Sequence, residues 1–407
     1  MRTFNWLKRL RQSERGNALA IGAATLPLLL GSAAFTVDTI HFSLMKRQLQ
    51  RAADSSAMAG AYAVSQEADE STAVHNDLDK NSFPELSQTE DIFSGPSLGF
   101  EQTVRVRLTA SRSMPFMSLF TSGPTTINAE ATAALIEDGT FCVLSLYDGD
   151  DAGIDVGGNA DLNLGCGMAS NSRAEEAVTA GGSSSVTATP IMAVGGLDGD
   201  GNNFNEPTTL QPHSAAQTDP YADVPNPPSQ SGCGAVSQQP SDPTLELTPG
   251  CYSSLDIKGT ATMAPGTYYI YGGDLEFGSQ ANITGSGVTF VMTGPNGEAG
   301  DLKWNGQAAL DLSAPTSGPY KTLLFYRDRR ASNIEIKVNG GADAKLKGAL
   351  YFPTSDIEFT GNAGLSVTCL QLIGQKLKFR GTAEINNSCP SSANMPGFQA
   401  TYVRLVS

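Results

Sequence analysis

Apolar positions along this chain follow three rules in succession. From Asn17 to Val37 no charged residue occurs. Twenty-one residues at ~1.5 Å each make roughly 31 Å of helix, about one hydrocarbon core. Between His41 and Val64 the pattern stays helical but turns small: Leu44, Leu49, Ala52, Ala53, Ala57, Gly60, Ala61 and Val64 share a face. A stripe of this kind suits tight packing, either on the chain's own following domain or on a partner helix. Strand-like alternation comes next, in Thr103–Leu108 and in Ile127–Ile136, with a short apolar segment, Met114 to Leu119, between them. Residues 66–100 are polar and read as exposed helix or loop. Together, residues 66–138 predict a small α+β module.

From about Phe141 a weak repeat takes over. An apolar-x-apolar triplet is followed by Gly-polar-Ala. Copies are Val156 with Gly158-Asn159-Ala160, Ile257-Lys258-Gly259-Thr260-Ala261, Leu275-Glu276-Phe277 with Gln280-Ala281, and Leu302-Lys303-Trp304 with Gly306-Gln307-Ala308. Ile336-Lys337-Val338, Ile357-Glu358-Phe359 and Leu377-Lys378-Phe379 lead to Gly340-Gly341-Ala342, Gly361-Asn362-Ala363 and Gly381-Thr382-Ala383. On a strand the charge of each triplet points out and its neighbours point in. Glycine supplies the conformation of a tight corner. A spacing of ~20 residues suits stacked coils. The fold expected is mainly β, with a right-handed parallel β-helix over residues 141–392. An antiparallel β-sandwich or barrel is the competing architecture; only the solenoid requires the triplets to stack in register. Residues 207–249 hold nine of the 22 prolines and read as an excursion over the surface. Residues 393–407 are expected to return as a strand or to cap the stack.

Charge adds an orientation. Arg2, Lys8, Arg9, Arg11 and Arg15 precede the apolar stretch against Glu14 alone. The positive-inside rule then puts residues 1–16 in the cytoplasm, residues 17–37 across the membrane and the remainder outside. Pro27 introduces a kink, Gly22 and Gly31 permit close helix contact, and Asp38 marks the exit. A cleaved signal peptide ending at Ser32-Ala33-Ala34 is the competing reading. The net charge of −15 argues against nucleic acid as a partner. The six cysteines contain no CxxC and fall into sequence-local pairs, Cys142–Cys166, Cys233–Cys251 and Cys369–Cys389. Disulfides, and hence an oxidising compartment, are expected.

Candidate chemistry is sparse. His41, His75 and His213 form no arrangement with a nucleophile, so no enzyme activity and no cofactor is expected. Asp198, Asp200 and Asn202 begin like a calcium loop, yet Asn203 stands where an EF-hand needs Gly and Thr209 where it needs Glu. A solvated Asx turn is the plainer account. Arg327, Asp328, Arg329 and Arg330, with Asp356 and Glu358 one coil later, could line a groove for an envelope polysaccharide, with Tyr268, Tyr271, Trp304 or Tyr320 as stacking platforms.

The stretch from Arg15 to Ala61 resembles the N-terminal region of TadE- and TadG-like proteins of the Tad (tight adherence) Flp pilus system. The matching pieces are Arg15-Gly16-Asn17, Pro27, Asp38, Lys46-Arg47-Gln48-Leu49-Gln50, Ala52-Ala53-Asp54 and Ala59-Gly60-Ala61. The resemblance implies a single-pass inner-membrane protein that works with the Tad machinery in assembling adhesive pili. Two departures narrow it. Ile21 occupies the position where prepilin processing at Gly16 would need Glu, and no DxSxS of a von Willebrand factor A domain is present.

Overall fold

The computed structural model describes residues 14–66, 68–81, 87–119, 123–339, 344–361, 364–388 and 398–407. The chain divides into two compact units, residues 1–136 with 403–407, and residues 137–402.

In the first unit, helix α1 runs unbroken from Glu14 to Ser65. Helix α2, Glu70–Lys80, starts at Asp69, whose side chain accepts the Thr72 amide at 2.6 Å. Strands β1 (Ser87–Ser97), β2 (Phe100–Arg112) and β3 (Thr125–Ser145) form an antiparallel sheet with β2 in the middle. The polar stretch expected as exposed helix or loop thus contributes a helix and an edge strand. On β2 the alternating Val104, Val106, Leu108 and Ala110 are buried and pack with Ala129, Ala131 and Ala133 of β3, with Val74 and Leu78 of α2, and with the small stripe of α1. The stripe packs at close range because it is small. A Cβ added at Gly60 would stand 2.7 Å from Val104 and 2.8 Å from Val74. The last residues of the chain, 403–407, also belong to this unit. The amides of Thr132 and Val406 each donate to the other strand, at 2.8 Å to the Ser407 and Thr132 carbonyls.

The second unit is a parallel β-solenoid, and its triplets stack in register as only that fold requires. One inward column runs Leu255, Leu275, Leu302, then Ile336, Ile357, Leu377, Ile154 and Val178; a second runs Ile257, Phe277, Trp304, Val338, Phe359, Phe379, Val156 and Ala180. These side chains fill one continuous core. The copy at Ile257 keeps the frame of the others. Ile257 stacks on Phe277, so its triplet is Leu255-Asp256-Ile257, with Asp256 as the outward charge. At the corners Gly158, Gly361 and Gly381 take φ of 73°, 76° and 69°. Backbone stacks directly on backbone there, since a Cβ on Gly158 would meet the Gly381 carbonyl at 2.9 Å. In the copy at 302–308 the left-handed residue is Gln307, at φ 72°, and not Gly306.

The coils do not stack in chain order. From one end of the stack to the other, among the described residues, they run 234–247, 250–263, 266–286, 288–313, 323–347, 348–368, 370–388, then 141–163, 167–187 and 191–204, with 210–211 stacking on 191–192 to begin one more. The last coil therefore seats on the first. Leu377 and Phe379 pair with Ile154 and Val156, and across this seam Lys376 meets Asp151 at 2.9 Å while Arg380 meets Asp155.

That order explains the proline-rich excursion. Residue 211 lies at one end of the stack and residue 234 at the other, ten coil steps of ~4.8 Å or about 48 Å apart, which an extended chain of 22 residues covers easily at ~3.3 Å each. The segment forms a strap. Asn171 exchanges two hydrogen bonds with the Gln217 backbone, at 2.7 and 2.8 Å. Asp219 accepts from Tyr351 at 2.6 Å, and the Tyr221 hydroxyl donates to Gln371 at 2.6 Å. Arg329 donates to the carbonyls of Tyr221, Ala222 and Val224. Beneath the strap, outward residues of successive coils (Ala169, Leu144, Ile373, Tyr351, Tyr326, Val291) form a buried apolar stripe. Strands such as Val288–Thr293 and Leu323–Arg327 are consequently buried on both faces.

Cys142 is joined to Cys166 and Cys233 to Cys251. Cys369 is disulfide-bonded; its expected partner, Cys389, lies outside the described residues.

Candidate functional site

Helix α1 has two halves with opposite surroundings. From Ile21 to Leu44 its large apolar side chains are bare. Leu28 is 74% exposed, and Ile21, Leu26, Leu29, Leu30, Phe35, Ile40 and Leu44 are all exposed. The polar side chains of this half are satisfied within the helix. Thr25 donates to the Ile21 carbonyl at 2.9 Å, Ser32 to Leu29 at 2.9 Å, Thr36 to Ser32 at 2.8 Å and Thr39 to Phe35 at 2.7 Å. A helix surface that asks nothing of water fits a hydrocarbon environment. The helix is long and apolar enough to cross a membrane. A Cβ placed on Gly22 or Gly31 meets nothing within 4 Å, so both are open positions on that surface.

The second half is fastened to the module. Met45, Leu49, Ala52, Ala53, Ala57 and Ala61 are buried. Lys46 donates to the Asn128 carbonyl, and Gln50 to the Glu130 carbonyl at 2.8 Å. Ser55 and Ser56 donate to the two oxygens of Asp77 on α2, at 3.1 and 3.0 Å. The small-residue stripe is thereby used inside the chain, and any partner of α1 is left with the first half.

Asp38 sits between the halves and is 5% exposed. Its carboxylate accepts the Met117 amide at 2.6 Å and the Phe116 amide at 3.1 Å. A buried carboxylate is costly unless such donors replace its water. These bonds also cap the 3₁₀ turn Met117–Leu119 and hold it against α1. Phe116 and Met117 themselves are 40% and 41% exposed. Sequence reasoning marked this segment only as an apolar turn; its tie to Asp38, 78 residues earlier, leaves no local signal.

The polar clusters of the solenoid are structural. Arg327 is buried and donates to the carbonyls of Ser332, at 2.8 Å, and Ala299, at 3.2 Å. Asp328 is buried, pairs with Arg330 at 2.6 Å and accepts from Thr293 at 2.7 Å. Burial pushes its carboxyl up, but the bonds from Arg330 and Thr293 outweigh this and hold it below the usual range. Arg329 belongs to the strap. Tyr268, Trp304 and Tyr320 are buried, so they offer no stacking platform, and Tyr271 is half-buried. Asp356 and Glu358 lie outward on the coil after Arg327, and Glu358 faces Lys337 at 3.6 Å. At the calcium candidate, Asp200 accepts the Asn202 amide at 2.8 Å and Asn203 donates to the Ser184 carbonyl at 2.9 Å, the geometry of an Asx turn. Among the described residues no group of three His, Cys, Asp or Glu is arranged to hold a metal.

Residues 16–63 match the model of the Tad family, described as "Putative Flp pilus-assembly TadE/G-like". No curated protein and no solved structure matches the chain. The family match covers α1 alone, nearly end to end, and includes both of its halves.

Proposed function

We propose that this chain is a non-enzymatic, single-pass protein of a bacterial inner membrane that helps to assemble or anchor Tad/Flp-type adhesive pili. The observation that carries the reading is the division of α1. The family-matched helix spends its second half on its own module and offers its first half, bare and apolar, to lipid and to other membrane helices. Residues 1–16 lie in the cytoplasm, and everything beyond Asp38 is exported, where the disulfides form. In lipid, helix association rests on close packing at small residues, and Gly22 and Gly31 supply such positions. The machinery's membrane proteins dock there, while the solenoid provides a rigid exported surface.

The test is Gly22→Leu combined with Gly31→Leu in the native host. Loss of surface pili, with normal protein levels, disulfides and protease resistance of the exported part, is the expected outcome. Normal piliation would refute docking through this face. Reporter fusions after Ser13 and after Ser65 check the topology, the second alone being active in the periplasm.

A further inference from the structure

We propose that the turn Met114–Leu119 is a second membrane-contact element, dipping Phe116 and Met117 into the headgroup region of the leaflet through which α1 leaves the bilayer. The inference rests on the reading of α1 as a span, and its argument is one of depth. The charge-free stretch of α1 ends at Val37, so a span that uses it brings Asp38 to the membrane–water boundary. The amides of Phe116 and Met117 both donate to the Asp38 carboxylate. The turn is therefore fixed within hydrogen-bond reach of that level, whatever the tilt of the helix.

At that depth the composition of the turn is informative. Met114 is buried and roots the segment in the module core. Phe116 and Met117, which come next to the tether, face outward. Scattered exposed apolar residues need no explanation on a soluble surface. Two consecutive large ones, pinned by their own backbone to the residue that ends an apolar span, do. On the helix, Ile40, Phe42 and Leu44 remain exposed beyond Asp38, interleaved with the exposed Thr39, His41 and Ser43, and basic residues begin at Lys46, about two turns past the carboxylate, so this stretch has the mixed character of an interfacial layer. Aromatic and flexible apolar side chains are at home in this interfacial layer. The turn also explains how an acidic residue is tolerated there. Backbone amides solvate Asp38 on the module side, and the turn shields it from lipid.

The experiment uses the full chain reconstituted in nanodiscs of phosphatidylethanolamine and phosphatidylglycerol. Nitroxide labels are placed singly by Phe116→Cys, by Phe35→Cys within the span, and by Leu98→Cys at an exposed turn of the same module, with the native cysteines kept oxidised. Collision with oxygen is compared with collision with a water-soluble nickel chelate. The Phe35 site should favour oxygen and the Leu98 site the chelate. The Phe116 site is expected to favour oxygen, at a shallower depth than Phe35, and to move toward the aqueous value when Asp38→Ala is added. A Phe116 site that behaves like Leu98 while Phe35 remains lipid-like overturns the proposal and leaves the span intact. A Phe35 site that is itself aqueous overturns the span. Shielding of the Phe116 site from both reagents, as a protein contact would give, also overturns the proposal.

Discussion

At the scale of single residues, the corners of the solenoid set the tightest limits. Gly381 adopts φ 69°, and a Cβ there would stand 3.0 Å from the Gly361 nitrogen. Gly381→Ala combines a left-handed penalty of about 1–2 kcal/mol with overpacking of about 1–3 kcal/mol. A loss of roughly 2–5 kcal/mol is expected in denaturant unfolding of the solenoid. Arg329 acts differently, through three strap carbonyls. Arg329→Ala should leave the coils folded but accelerate proteolysis between Ala222 and Gln230, since each charge-assisted hydrogen bond contributes about 1.5–3 kcal/mol. Tyr221 titrates with the strap. Burial raises its phenol to about 12. The unfolded value is about 10, so the folded state favours the neutral form. Its contribution is complete below pH ~10 and is lost as pH rises toward about 12. Tyrosinate absorbance should accordingly show a late class that appears together with strap release, and Tyr221→Phe should remove one member of it. The corner glycines were legible in the sequence because their chemistry is local. Arg329 was visible as a charge, but its purpose was not, because its partners lie more than a hundred residues away.

At the scale of elements, α1 shows why one sequence pattern supports two uses. Its small stripe admits either a partner or the chain's own sheet, and periodicity alone does not decide. The deciding contact is Gly60 against Val104 and Val74, which requires a sheet that the sequence marked only as short alternating runs. Gly60→Leu is therefore expected to loosen the module, read as a lower midpoint of thermal unfolding, by an amount typical of overpacked cores, about 1–3 kcal/mol. Gly31→Leu should leave that midpoint unchanged, because its surroundings are open. The strands carried a related signal. Runs such as Leu323-Leu324-Phe325-Tyr326 are apolar without alternation, which demands cover on both faces. The solenoid interior supplies one cover. The other is the strap, whose prolines identified it as an excursion without showing what it lies on.

At the scale of the whole molecule, the parallel stack was legible from its repeats, and its order was not. Ile154-Asp155-Val156 and Leu377-Lys378-Phe379 carry the same apolar-charged-apolar signature as every other copy, so nothing in a triplet names its neighbour. The physical result is a seam that joins parts of the chain some 225 residues apart. Deleting residues from Leu370 onward should uncover the coil edges at 348–368 and 141–163 and yield aggregation or degradation. Removing residues 233–247, at a free end among the described residues, should be milder, apart from the lost Cys233–Cys251 bridge. Hydrogen exchange would distinguish these outcomes. The coil from 141 to 163 is made early and waits, with one edge unsatisfied, until the coil from 370 to 388 has folded. Completion of synthesis is thus written into the geometry. A polypeptide arrested short of its final turns keeps a raw edge that chaperones and proteases are equipped to notice, and only a copy that includes them can conceal it.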